Sequence, residues 1–153
     1  MTDPTSDIDP YGERRLVRRL MRYWHEQSGL HPMPEENDID PDMLGDDWAH
    51  CFLLQARDVA NTQDYNFTYL GENIVRAYSD AAIDGTNEQL IGPNANRLST
   101  HFHRVLDSRA PLIDEGEFTT LKGRRVMYRQ CLMPLGTDGG VVAIFGGMNY
   151  KIW

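Results

Sequence analysis

Two apolar runs, VMYRQCLMPL and VVAIFGGMNYKIW, flank Gly136-Thr137-Asp138-Gly139-Gly140 and constrain the chain more than any other stretch. Two β-rich segments joined by a short glycine-containing connection form a hairpin, since glycine readily takes the positive φ that tight reversals need. Two long antiparallel strands therefore end the sequence. In the last one Val142, Ile144, Gly146, Met148, Tyr150 and Ile152 share a face by the two-residue period, and that face is predicted to be the buried wall of a core. Helices must cover it.

A chain of 153 residues corresponds to about one domain, and a domain of that size buries roughly 70% of its unfolded surface. Hydrophobic residues at 41% and charged residues at 25% place it in the globular range. The formal charge of −8, from 23 acids against 15 bases, repels polyanions on average and argues against nucleic acid or an anionic membrane as partner. Cys51 and Cys131 each sit in an apolar, strand-like run, where cysteine behaves as a small buried hydrophobe, and both are expected reduced. The opening MTDPTSDIDP has no basic start or apolar centre, and no run approaches the ~18 apolar residues of a membrane span. By elimination the expected location is the cytoplasm.

Four regions follow along the chain. Residues 1–9 are polar, acidic and proline-bearing, a leader expected to fray. Residues 10–29 form an amphipathic helix that opens at Asp9-Pro10 and stops at Ser28-Gly29. Its apolar stripe is Leu16, Val17, Leu20, Met21 and Trp24, with Arg15, Arg18, Arg19 and Arg22 facing away. Residues 30–49 are an acidic linker. Glu35, Glu36, Asp38, Asp40, Asp42, Asp46 and Asp47 are unrelieved by Lys or Arg, and the segment is placed to fold back toward the arginines. Asp40-Pro41 caps a short turn there, while the acids lack the ligand spacing of a calcium loop.

Residues 50–153 carry the core. The runs HCFLLQAR and NFTYLG read as strands, and Ile74, Ala77 and Tyr78 as a short helix. A second short helix spans residues 87–91. Asn94 caps a longer helix whose inward stripe is Leu98, Phe102, Val105 and Leu106, and LIDEGEFTTL is a third strand before the terminal pair. Hairpin-joined strands with segregated helices define an α+β domain.

The motifs narrow this further. Arg22-Tyr23-Trp24, Gly29-Leu30-His31-Pro32-Met33-Pro34 and Asp38-Ile39-Asp40-Pro41 resemble the opening of a bacterial family of single-domain PAS proteins. Phe67-Thr68-Tyr69-Leu70-Gly71, Asp84-Gly85-Thr86 and Leu132-Met133-Pro134-Leu135 extend the resemblance over about residues 22–148. It implies a PAS-like five-stranded antiparallel sheet whose concave face is covered by the short helices and the 94–109 helix. It also implies a sensory or interaction role coupled to a signalling partner, and an N-terminal helix that mediates a homodimer, its stripe of Leu16, Val17, Leu20, Met21 and Trp24 packing against the symmetry mate and the sheet. No catalytic residues come with it.

Aromatic side chains line small-molecule cavities, so Tyr78, Phe102, Tyr128 and Phe145, with His101 on the same long helix, form the candidate ligand pocket. Core packing accounts for the aromatics equally well. His101 lies about 85° and His103 about 115° from the centre of the inward stripe, which disfavours haem ligation through His101, and an H-x-H pair is too few ligands for zinc. The cofactor is left open and no metal site is expected. No nucleophile elbow, phosphate loop or dinucleotide fingerprint is present, and the chain reads as non-enzymatic. A proton-transfer enzyme of the ketosteroid-isomerase type, using Asp114 or Glu117 with Tyr128, is the alternative, although acids in such a strand are expected to be solvated. A purely structural dimerisation adaptor with a filled core is the third reading. At Gly146-Gly147 a β-bulge is favoured over close approach of another group.

Overall fold

The computed structural model describes residues 13–56, 65–79, 95–119 and 123–152. Helix α1 is Glu13–Ser28, α2 is Pro41–Leu44, α3 is Glu72–Ser79 and α4 is Ala95–Ser108. The strands are β1 (Cys51–Ala56), β2 (Tyr65–Leu70), β3 (Leu112–Thr119), β4 (Arg125–Thr137) and β5 (Gly140–Ile152). They form one antiparallel sheet in the order β2-β1-β5-β4-β3. The last strand thus lies at the centre, between the first strand and the long hairpin partner β4. The leader, the 87–91 helix and the Asn94 cap lie outside the described residues.

Both faces of the sheet are buried, which explains why the terminal runs are apolar without strict alternation. On one face Phe52, Leu54, Ile74, Phe102, Val105, Val126, Tyr128, Leu132, Ile144 and Met148 form a core beneath α3 and α4. On the other, Leu16, Val17, Leu20 and Trp24 of α1 press on Cys51, Cys131, Met133, Leu135, Ala143 and Phe145. The buried wall predicted for β5 is therefore only half of the answer. Ile144 and Met148 belong to it, but Ala143 and Phe145 are equally buried on the opposite side, and Val142 is exposed.

The α1 stripe is spent on the chain's own sheet. Leu20 is fully buried, Leu16, Val17 and Trp24 nearly so, and only Met21 is half-buried. Each such side chain contributes roughly 1.5–3 kcal/mol when removed from water. Trp24 Nε1 also donates to the Pro134 carbonyl at 2.8 Å, so the ring closes the layer without stranding its polar edge. Of the two surfaces expected to bury this stripe, a second copy and the sheet, the chain's own sheet takes Leu16, Val17, Leu20 and Trp24.

The acidic linker is folded. A 3₁₀ turn at Glu36–Asp38, helix α2 and a 3₁₀ turn at Gly45–His50 carry the chain from α1 to β1. Asp40 Oδ1 accepts from the Asp42 amide at 3.0 Å, the cap expected there. The Tyr23 hydroxyl accepts from the Asp40 amide at 2.6 Å and donates to the Asp38 carbonyl at 3.2 Å. Arg19 grips Asp47 with two bonds of 2.8 Å. The linker does fold back onto the arginine helix, as its charge suggests.

Gly146 and Gly147 sit in unbroken pairing with β1 and β4, so the favoured bulge is absent there. The reason for two glycines is approach. A Cβ at Gly146 would collide with the Phe52 ring, and one at Gly147 with Leu20 Cδ1. The register shifts fall instead between Leu53 and Leu54 and between Leu135 and Gly136.

Candidate functional site

Strand parity selects the site. Val126, Tyr128, Gln130 and Leu132 alternate onto the α4 face of β4, and Gln130 is the polar member of an otherwise largely apolar row. Its cross-strand partner in β3 is Asp114. The pair meets side chain to side chain, Gln130 Nε2 donating to Asp114 Oδ2 at 2.9 Å, with both residues about nineteen-twentieths buried. Helix α4 sets His101 over them, its Nε2 3.2 Å from Asp114 Oδ1. The His101 side chain is 16% exposed, and both ring nitrogens are buried without a hydrogen bond among the described residues, Nε2 meeting Asp114 at ion-pair distance only.

Burial of Asp114 corrects the expectation of a solvated strand acid. A carboxylate out of water is tolerated when its oxygens find partners: Gln130 donates to one, and the other lies at ion-pair distance from His101 Nε2. Glu117, three residues on and on the other face, stays exposed beside Arg125 at 3.5 Å. Only one of the two acids considered together is thus in the interior.

The predicted pocket residues divide. Phe102 and Tyr128 are buried in the α4-face core next to the polar cluster, where His101 joins them. Phe145 is not with them. Odd-numbered in β5, it faces α1 and stacks edge-on against Tyr23 with centroids 6.1 Å apart. The Tyr78 side chain lies outside the described residues. Gln130 was missed, although a glutamine at inward parity between Tyr128 and Leu132 is itself a legible signal.

His101 does not suit axial ligation of haem, since Nε2 is turned to Asp114 and only Nδ1 is left. Among the described residues no group of three or more His, Cys, Asp and Glu side chains converges as a metal site. Cys51 and Cys131 are both buried free thiols on strands flanking Gly147. Burial pushes the Cys131 thiol up to about 12 and raises Cys51 well above its ordinary value, so neither is a nucleophile at neutral pH. No described helix is long and apolar enough to cross a membrane.

A five-stranded antiparallel sheet with α3 and α4 on one face and α1 on the other is an α+β architecture. The chain belongs to the PAS domain family, whose model matches residues 13–149. A search of the curated proteins finds no match. The family points to a sensory or interaction module.

Proposed function

We propose that the chain is a non-enzymatic sensory module in which a small molecule is received between α4 and the sheet and its presence is passed to a signalling partner. The observation that carries this reading is the His101–Asp114–Gln130 cluster. A core built for stability alone gains little from three polar side chains, because satisfying them at best offsets their desolvation. An imidazole nitrogen buried without a partner is a hydrogen-bonding position held in reserve, accepting or donating according to tautomer. The apolar residues beside it, Phe102 and Tyr128 among them, suit a largely apolar ligand with one polar end.

Proton-transfer catalysis has one observation in its favour, the burial of Asp114 against Tyr128's row. Against it, Asp114 Oδ2 accepts from Gln130 and Oδ1 is covered by the His101 ring at 3.2 Å, whereas a general base needs a lone pair open to substrate. The test is native mass spectrometry of the protein as purified from its source. A co-purifying small molecule retained by the parent and lost from Asp114→Leu/Gln130→Leu, with the fold intact by circular dichroism, supports the sensor. No adduct in either protein, and no shift in melting temperature across an amphiphile library, sinks it in favour of the filled-core adaptor.

A further inference from the structure

A second imidazole on the α4 face, like His101, keeps a buried ring nitrogen without a hydrogen bond among the described residues: Nδ1 of His50. In the sheet register Asp114 lies opposite Gln130, and Gln130 opposite Met148. Cys51 pairs with Gly147, so His50, one residue before β1, comes beside Met148. Its ring meets α3, the helix that packs on this face through Ile74, with Asn73 Nδ2 3.1 Å from His50 Nε2. Arg76 Nη1 donates to Asn73 Oδ1 at 3.4 Å, which turns the amide nitrogen toward the ring. Asn73 therefore donates to Nε2. An imidazole nitrogen that accepts carries no proton, so the neutral ring holds its hydrogen on Nδ1. A buried N–H is costly to leave unpaired, and this one calls for an acceptor.

One cross-strand row of the α4 face thus has a polar anchor at each end, His50 beside β1 and His101 over Asp114 and Gln130. Between them Met148 is buried and apolar, a flexible side chain in one core with Phe52, Phe102 and Tyr128. Three strand spacings of about 4.8 Å make the row about 14 Å wide at the backbone, and side chains reaching in from both ends shorten the gap. We propose that the ligand of this face is two-ended: a largely apolar molecule of medium length with a neutral carbonyl-type acceptor for the His50 Nδ1–H and a hydroxyl for His101 Nδ1. This rests on the reading of the α4 face as a ligand site and adds the far end of the molecule. The acceptor is neutral because His50, accepting from Asn73, offers a dipole and no charge. A hydroxyl suits His101 because it donates to one tautomer and accepts from the other.

Isothermal titration of the full chain with methyl ω-hydroxyoctanoate, methyl octanoate and octanol tests this. The parent is expected to bind the hydroxy ester about tenfold more tightly than either single-ended probe, the effect of one satisfied buried hydrogen bond. That order is diagnostic, because a hydroxyl or ester added to a ligand in an apolar pocket weakens binding unless a partner awaits it. His50→Phe should erase the advantage of the hydroxy ester over octanol and leave octanol itself unchanged, while His50→Gln, whose amide still donates, keeps part of it. Unchanged melting curves show that the variants fold. A hydroxy ester bound no better than the single-ended probes, or an advantage that survives His50→Phe, overturns the two-ended ligand and leaves the site beneath α4 standing. Binding of none of the three probes at about 100 μM overturns this inference together with the reading it rests on.

Discussion

The two faces of the sheet are built from the same five strands and solve burial in opposite ways. Under α1 the layer is dry and closed. Among the described residues its buried side-chain polar groups include two protonated thiols, the Trp24 indole bonded to Pro134, the Ser28 hydroxyl bonded to the Trp24 carbonyl and a tyrosine bonded to the linker, and every large residue of the helix stripe but Met21 is buried. Under α4 the layer admits a histidine, a carboxylate and an amide into an apolar core and leaves the histidine ring nitrogens without a hydrogen bond among the described residues. The difference teaches where stability and responsiveness have been separated: a face that must hold pairs the few polar groups it buries, and a face that must respond keeps polar atoms that a further group can complete.

Substitutions on the closed face should cost most. Gly147→Leu places a branched side chain where Leu20 already lies, with the His50 carbonyl close behind, and should destabilise by about 3 kcal/mol or more in urea unfolding. If Gly147→Leu combined with Leu20→Ala were no better than Gly147→Leu alone, the α1 packing described here would be wrong.

Alkaline pH gives the next largest effect. An unfolded thiol ionises near 9 and the Cys131 thiol only near 12, so the protonated native form contributes stability that is complete below pH 9 and lost as pH rises toward 12. The slope approaches about 1.4 kcal/mol per pH unit for this group, with Cys51 adding in the same direction. Cys131→Ala should flatten the curve above pH 9, and slow maleimide labelling that becomes fast in urea should accompany it.

Leu20→Ala should cost about 3–4 kcal/mol as a cavity in a layer with nothing to collapse into it. On the α4 face the sign changes. Gln130→Ala alone strips a donor from a buried carboxylate and should cost about 1–3 kcal/mol, whereas Asp114→Leu/Gln130→Leu should be near neutral or stabilising in thermal unfolding. A double variant as damaged as Gln130→Ala would mean the cluster is structural and the contrast between the faces does not hold.

Much of the fold could be read from residue patterns because the signals were local. The hairpin glycines, the helix stripe closed by Gly29 at φ 56°, and the Asp40 cap each act over a few residues. What could not be read was which elements met. Period-2 parity separates Phe145 from Tyr128 only once pairing is known, and nothing in the stripe of α1 distinguishes a sheet of its own chain from a neighbour. Asp114 and Gln130 are 16 positions apart and become a pair only through the β3–β4 register. The fold back of the acidic linker was visible because charge acts at a distance, whereas hydrogen-bonded burial of one acid depends on a single facing side chain.

The adjacent glycines at the middle of β5 have a mechanical consequence. Consecutive strand residues point to opposite sides, so Gly146 meets Phe52 while Gly147 meets Leu20, and no side chain of β5 cushions either contact. A single stretch of backbone is thus all that separates an aromatic ring of the α4-face core from the helix on the far side. Displacement of Phe52 would be delivered to α1 across one peptide thickness, the shortest path by which a push on one side of the sheet becomes movement on the other.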